Sequence, residues 1–325
     1  MGLIEKAFDN DDGPKKGSDQ KSNPRGEASN TMERYHAVHT KEPRGNHTKK
    51  QFDLDFSSLA SQGFFVPNET PTQLSLELRV LKRRLLRRVG FLRNNAAAMD
   101  LRLRNNARER NLVMVTSTRP AEGKTFTAIN LALSLAIEDQ INVTLLDGDA
   151  PRPKIQSHLG LRESTGFTDL IVNEDVSFED VAVRARQVPF TLLPEGGAVD
   201  RPGDLFGTVH AQKALNDLSM RHSGGLVIID APPVLATTEA IVLAPFVDEI
   251  LFVVEADSTP EQAITTALEE LLDVNPNISL VLNKCLIGAG GSHYGSYSDY
   301  YPTGTRRAVS SGMTAQEKQM TGKRD

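Results

Sequence analysis

The stretch NLVMVTSTRPAEGKTFTAINLA, Asn111 to Ala132, decides how the rest of the chain is read. Leu112 to Thr116 is a short apolar run of the kind a buried strand needs, and from Thr125 to Ile137 the apolar residues recur at helical spacing. Between them lies a loop ending in Gly123, Lys124 and Thr125. Against the pattern G-x-x-x-x-G-K-[ST] it matches at the last three positions and has Thr118 where the first glycine is expected. A strand, such a loop and a helix form a phosphate cradle. Backbone amides at the helix start point at phosphate oxygens, Lys124 neutralises the outer phosphates, and the Thr125 hydroxyl can hold Mg2+. Ala121, Glu122 and Phe126 are the neighbours expected to shape that cradle.

Further apolar runs bounded by turn residues occur at Val143 to Leu146, Thr191 to Leu193, Leu226 to Ile229, Ile250 to Val254 and Ile278 to Leu282. Helical patterns separate most of them, at Asp204 to Met220, Thr238 to Ala244 and Pro260 to Leu272. Strands alternating with helices predict an α/β fold, a doubly wound and mostly parallel sheet of the phosphate-loop NTPase type with helices on both faces. Ligands in such sheets bind beyond the carboxyl ends of the strands. Those ends carry the acids. LLDGDAPRP (Leu145 to Pro153) places Asp147 and Asp149 one residue apart, followed by Arg152; LVIIDAPP (Leu226 to Pro233) ends in Asp230. Two strand-end carboxylates can serve a metal-bound water and an incoming hydroxyl, and Asp230 has the setting of a second Mg2+-coordinating acid. Asn283, ending LVLNK, is a candidate for the adenine edge.

Composition sets the surroundings. The net charge of −5 conceals an asymmetry: Glu77 to Arg110 holds eleven Lys/Arg against three Asp/Glu, whereas Asn111 to Asp325 holds sixteen against twenty-eight. Leu74, Leu78, Leu81, Leu85 and Leu86 form the apolar stripe of a basic amphipathic helix, and Ala96 to Arg110 reads as a second one. Residues 1–55 lack apolar periodicity and are expected to be disordered; 56–110 form a basic helical collar, 111–285 the phosphate-loop domain, and 286–325 a mobile tail. The single cysteine, Cys285, excludes an internal disulfide and is expected to pack as a small apolar residue. Without a long apolar segment or secretory signal, the chain is expected to be cytoplasmic.

The tail has its own signature. HYGSYSDYYPTG (His293 to Gly304) contains Tyr294, Tyr297, Tyr300 and Tyr301, four of the chain's five tyrosines, spaced by glycine and serine. Such a segment cannot bury enough apolar surface to order itself. It suits a sticky aromatic segment, a base-stacking arm or a substrate for modification at the phenol oxygens.

With these elements in this order, the chain resembles the bacterial tyrosine kinases, phosphate-loop autokinases that govern capsular and exopolysaccharide production. The resemblance spans about Gln73 to Pro302 and rests on RPAEGKT, LLDGDAPRP, LVIIDAPP and the tyrosine cluster. Within the family, LKRRLLRR, the phosphate-loop stretch and VVEADSTP are similar to the tyrosine autokinase associated with exosortase-type exopolysaccharide clusters. The resemblance implies a protein-tyrosine kinase that uses ATP and Mg2+. Lys124 and Thr125 would hold phosphates and metal, Asp147 and Asp230 would organise the metal, and Asp149 would act as base or orienter. The four tail tyrosines would be phosphorylated by a neighbouring subunit. It also implies a separate inner-membrane activator of the chain-length-determinant type, which would hold the kinase peripherally at that membrane, a cognate tyrosine phosphatase, and self-association, in a ring; nucleic acid is not an expected partner. The family's oligomerising frame, a glutamate and two basic residues at three-residue steps, falls here on Leu76, Arg79 and Lys82, with Glu77 one place off. Ala121 stands where a glycine is usual and Pro151 where many members have an arginine. The alternative reading is a nucleotide-switch ATPase like those of chromosome partitioning and septum positioning, binding DNA or membrane through the basic collar; Arg119 stands where the partitioning proteins carry a signature lysine. A scaffold that has lost activity is a third, set aside because Lys124, Thr125 and the three acids are present.

Overall fold

The computed structural model describes residues 50–67, 72–91, 110–163, 165–199 and 201–285. Its centre is an eight-stranded sheet in the order β1-β4-β5-β3-β6-β2-β7-β8. The strands are β1 Lys50–Phe52, β2 Leu112–Ser117, β3 Val143–Asp147, β4 Val183–Ala185, β5 Phe190–Leu193, β6 Leu226–Asp230, β7 Glu249–Glu255 and β8 Ile278–Asn283. Six of them, from β5 to β8 in that order, run parallel. Strand β4 pairs antiparallel with β5, and β1 pairs parallel with β4, so these two strands at one side of the sheet run the other way.

The central strands are apolar on both faces because both faces are covered. Val113 and Val115 of β2, Leu145 of β3 and Ile228 of β6 pack into one cluster with helices α1 (Phe56–Ser61), α2 (Gln73–Arg88) and α3 (Lys124–Glu138). Their neighbours Leu112, Met114, Leu146, Val227 and Ile229 enter a second cluster on the opposite face. That face is covered by α5 (Phe167–Val172), α6 (Phe178–Val181), α7 (Pro202–Phe206), α8 (Val209–Arg221), α9 (Glu239–Leu243) and α10 (Glu261–Leu272); a single turn, α4 (Ile155–His158), follows β3. Helix α3 is buried at most positions, because it lies between the sheet and α2.

Several expectations are corrected. Residues 50–55, expected to be disordered, are ordered: Lys50–Phe52 is a strand, Leu54 is buried, and the Asp55 carboxylate caps α1 by accepting from Ser57 and Ser58 N–H, while residues 1–49 lie outside the described residues. Lys50 is held to Glu163 at 2.8 Å, and the Phe52 ring meets Phe190 edge-on, so tertiary contacts order a stretch too short to show periodicity. The helix read over Asp204 to Met220 is two helices, since Thr208 accepts from Ala211 N–H and caps α8 anew. Cys285 is exposed, because it stands past the end of the edge strand β8. The helix expected over Ala96 to Arg110, apart from Arg110 itself, and the tyrosine tail lie outside the described residues.

Candidate active site

Strand β2 delivers the chain into the loop Thr118–Gly123, and α3 begins at Lys124. The loop is tied down from behind. Asn283 Nδ2 donates to the Glu122 carbonyl at 2.9 Å, and Lys284 Nζ donates to the Ala121 carbonyl at 2.8 Å. The buried Glu122 carboxylate accepts from Arg119 N–H at 2.9 Å and from the Thr259 hydroxyl at 2.6 Å. These bonds engage carbonyl oxygens of a loop whose amides are the anion-binding groups. Gly123 has φ +98°, and a Cβ there would lie 2.0 Å from Asn283 Nδ2, so glycine is required twice over. Ala121, in the position where glycine is usual, carries the strain directly with φ +71°.

Three acids from the ends of β3 and β6 converge on this loop. Lys124 Nζ lies 2.6 Å from Asp149 Oδ2 and 3.4 Å from Asp230 Oδ1, and the Thr125 hydroxyl donates to Asp230 Oδ2 at 2.6 Å. Asp147 Oδ2 accepts from Lys154 and Ile155 N–H at 3.2 and 3.1 Å, while its Oδ1 is buried with no hydrogen-bond partner among the described residues. Burial, then the neighbouring Asp230, pushes the Asp147 carboxyl up to about 8. Asp230 is raised by burial, against the pull of Lys124 and of the Thr125 hydroxyl. Burial pulls the Lys124 ammonium down, but Asp230 and Asp149 outweigh it and hold the pKa above its ordinary value.

A cavity of about 310 Å³ opens over the loop; Lys124, Thr125, Asp149, Arg152 and Phe126 are among the residues that line it. Phe126 is fixed by stacking on Phe64 at 5.3 Å. Asn283 and Glu122 do not line this cavity: both brace the loop. Sequence reasoning missed Lys284, Thr259 and a further buried acid, Glu195, which follows β5. Burial, then Asp149 and Asp169, pushes Glu195 up to about 7. Its position just beyond a strand end was the available signal.

A buried carboxylate oxygen without a partner, a second carboxylate and a hydroxyl are hard oxygen donors, a set that suits Mg2+. Among the described residues no group of three or more His, Cys, Asp or Glu forms a metal cage. Mg2+ characteristically uses one or two carboxylates with waters and substrate phosphates, so the two observations agree.

Comparison with known proteins bears on the same region. The chain is 26% identical over 196 residues to the tyrosine-protein kinase YwqD of Bacillus subtilis, covering 60% of this chain and 79% of the relative. The putative tyrosine-protein kinase AmsA of Erwinia amylovora is 25% identical over 187 residues, which is 58% of this chain but 25% of AmsA. The kinase domain of the Escherichia coli tyrosine kinase ETK superposes with a TM-score of 0.57 at 21% identity, covering 80% of this chain and 91% of that domain. The chain is thus similar to bacterial tyrosine kinases over the region that holds the loop and the acids. No family model matches it. Of the frame residues Leu76, Arg79 and Lys82, Lys82 is buried and bonded within its own chain, to Glu138 at 2.5 Å and Asp139 at 2.6 Å. No helix among the described residues is long and apolar enough to cross a membrane.

Proposed function

We propose that the chain is an ATP-dependent protein-tyrosine autokinase that phosphorylates Tyr294, Tyr297, Tyr300 and Tyr301 of a neighbouring copy and regulates exopolysaccharide production. The observation that carries this reading is the convergence of Lys124, Thr125, Asp149 and Asp230 within hydrogen-bond reach at the mouth of a phosphate loop. Phosphoryl transfer needs positioning and charge neutralisation more than covalent chemistry. Lys124 holds the outer phosphates. Thr125, Asp147 and Asp230 would hold Mg2+, which when bound neutralises charge on the phosphate oxygens. Asp149 is paired with Lys124; a phosphate that draws the ammonium away frees this carboxylate to accept the proton of the attacking tyrosine hydroxyl. The tail's glycines and serines supply the reach. Relatives named as tyrosine kinases and as a succinoglycan transport protein support the polysaccharide setting, and the exosortase-type association rests on the sequence segments quoted above. A membrane activator, a phosphatase and a homo-oligomer belong to the same reading.

Purified full chain, with Mg2+ and radiolabelled ATP and with the candidate membrane activator supplied in a parallel arm, tests it. Phosphotyrosine on the wild type, absent from Lys124→Met and from a variant with the four tail tyrosines changed to phenylalanine, is the expected result. Nucleotide hydrolysis without labelled protein in both arms refutes the kinase and favours a nucleotide switch.

A further inference from the structure

We propose that Arg184 and Arg221 form a second anion site, for a small molecule bearing a phosphate group, in the cavity at the amino ends of β3 and β5. This cavity, about 390 Å³, is comparable in size to the one over the phosphate loop. The two lie at opposite ends of β3: Val143 lines this one, and Asp147 ends the strand at the other. Four residue steps at about 3.3 Å each place those ends roughly 13 Å apart.

Arg184 is the central observation. It lines the cavity from β4, its guanidinium lies 5.7 Å from the centre of the Phe178 ring, and its Nη1 is enclosed with no hydrogen-bond partner among the described residues. A charged donor left without an acceptor inside a protein is disfavoured, and the planar fork of arginine matches phosphate oxygens two at a time. The cation–π contact holds that guanidinium over the Phe178 ring. Arg221, at the end of α8, lines the same cavity; its ion pair to Glu179 at 3.2 Å is half-exposed and therefore weak. The carbonyls at this end of α8 do not repel an anion unopposed, because Leu218 O accepts from His222 N–H, Met220 O from Ser223 N–H and His222 O from Gly225 N–H.

His222 reports on this charge. Its Nδ1–H donates to the Leu218 carbonyl at 2.8 Å, and Nε2 accepts from the Thr144 hydroxyl at 2.5 Å, so the ring is held in one neutral tautomer. Burial lowers its pKa; the Leu218 carbonyl opposes the shift, and Arg184 and Arg221 add to it. An anion between the two guanidinium groups offsets that last contribution and raises the value.

The full chain carries two internal probes, since His158 lines the phosphate-loop cavity and His222 lines this one. Their imidazole resonances, followed by NMR over roughly pH 5 to 9 as inorganic phosphate is added, distinguish the sites. The expected result is an upward move of the His222 midpoint by about half a pH unit. Arg184→Gln should weaken the His222 response at least about tenfold and leave that of His158 unchanged; Arg221→Gln serves the same purpose if the first variant melts early by circular dichroism. A parallel titration with O-phosphotyrosine identifies the source: an equal response marks free phosphorylated molecules, and a much stronger one marks a phosphorylated tail. Failure of His222 to respond, or a wild-type response in both variants, overturns the proposal.

Discussion

Lys82 and Lys124 are the two buried lysines among the described residues, and each lies between two carboxylates. Their partners differ. Glu138 and Asp139, which hold Lys82, are 29% and 40% exposed; Asp149 and Asp230, which hold Lys124, are 9% and 1% exposed. Solvent can screen the first pair of acids if the lysine leaves, so that cluster is a clip fastening α2 to α3. The second pair has no such recourse, and the two carboxylates then need another cation or a proton. The same arrangement of charges is therefore a fastening in one place and an exchangeable counter-ion in the other, and the burial of the acids makes the difference.

The largest expected effect is on Lys124. Lys124→Met should reduce tyrosine labelling by about a thousandfold, the scale for losing a preorganised electrostatic contact in a reacting site. Labelling in the wild-type range would end the comparison, since Lys124 would then be a second fastening. Asp149→Asn sharpens it. Freed of its 2.6 Å partner, Lys124 should hold nucleotide several-fold more tightly, measured by calorimetry, while transfer falls by about a hundredfold through loss of the base. Weaker nucleotide binding in that variant would show that Asp149 positions the lysine instead of competing for it.

Glu195 extends the comparison to a buried acid that has no ion pair among the described residues. Its carboxyl is raised from 4.5 to about 7, chiefly by burial. The folded state thus holds a proton that the unfolded chain has released. Below about pH 4.5 the group is neutral in both states, and stability is lost as pH rises from there through about 7. Glu195→Gln should remove that loss, stabilising the protein by up to about 3 kcal/mol at pH 8 and by nothing near pH 4. Denaturant melts at the two pH values measure it, and an equal gain at both contradicts the assignment.

What the sequence made legible follows from where the determinants are local. The strand, loop and helix around Gly123 to Thr125, and the acids at the ends of β3 and β6, are read from contiguous residues, and the structure brings them within bonding distance. Contacts between distant segments left no such pattern. Lys284 bracing Ala121 spans 163 positions, and Thr259 reaching Glu122 spans 137. Strand β1 is three residues long and is ordered by Glu163 and Phe190, so no periodicity marks it. By spacing Lys82 falls outside the leucine stripe of its helix, among the basic residues; only the fold shows that α3 turns Glu138 and Asp139 toward it.

The smallest effect tests the fastening. Removing one partner of a fully buried ion pair destabilises a protein by about 3–5 kcal/mol, but Glu138 and Asp139 can hydrate when Lys82 is lost, so Lys82→Met should lower stability by about 1–2 kcal/mol. Thermal melts should show it as a fall of a few degrees, by roughly 2–4 °C per kcal/mol for a domain of this size. Nucleotide affinity should not move, because Lys82 bonds to the C-terminal turns of α3, far along the helix from Lys124 at its start. If Lys82→Met instead lost tyrosine labelling at an unchanged melting temperature, Lys82 would be acting between subunits, as its place in the family frame implies. Its burial would then have to be relieved on assembly, and Glu138 and Asp139 would be the acids released when it turned outward.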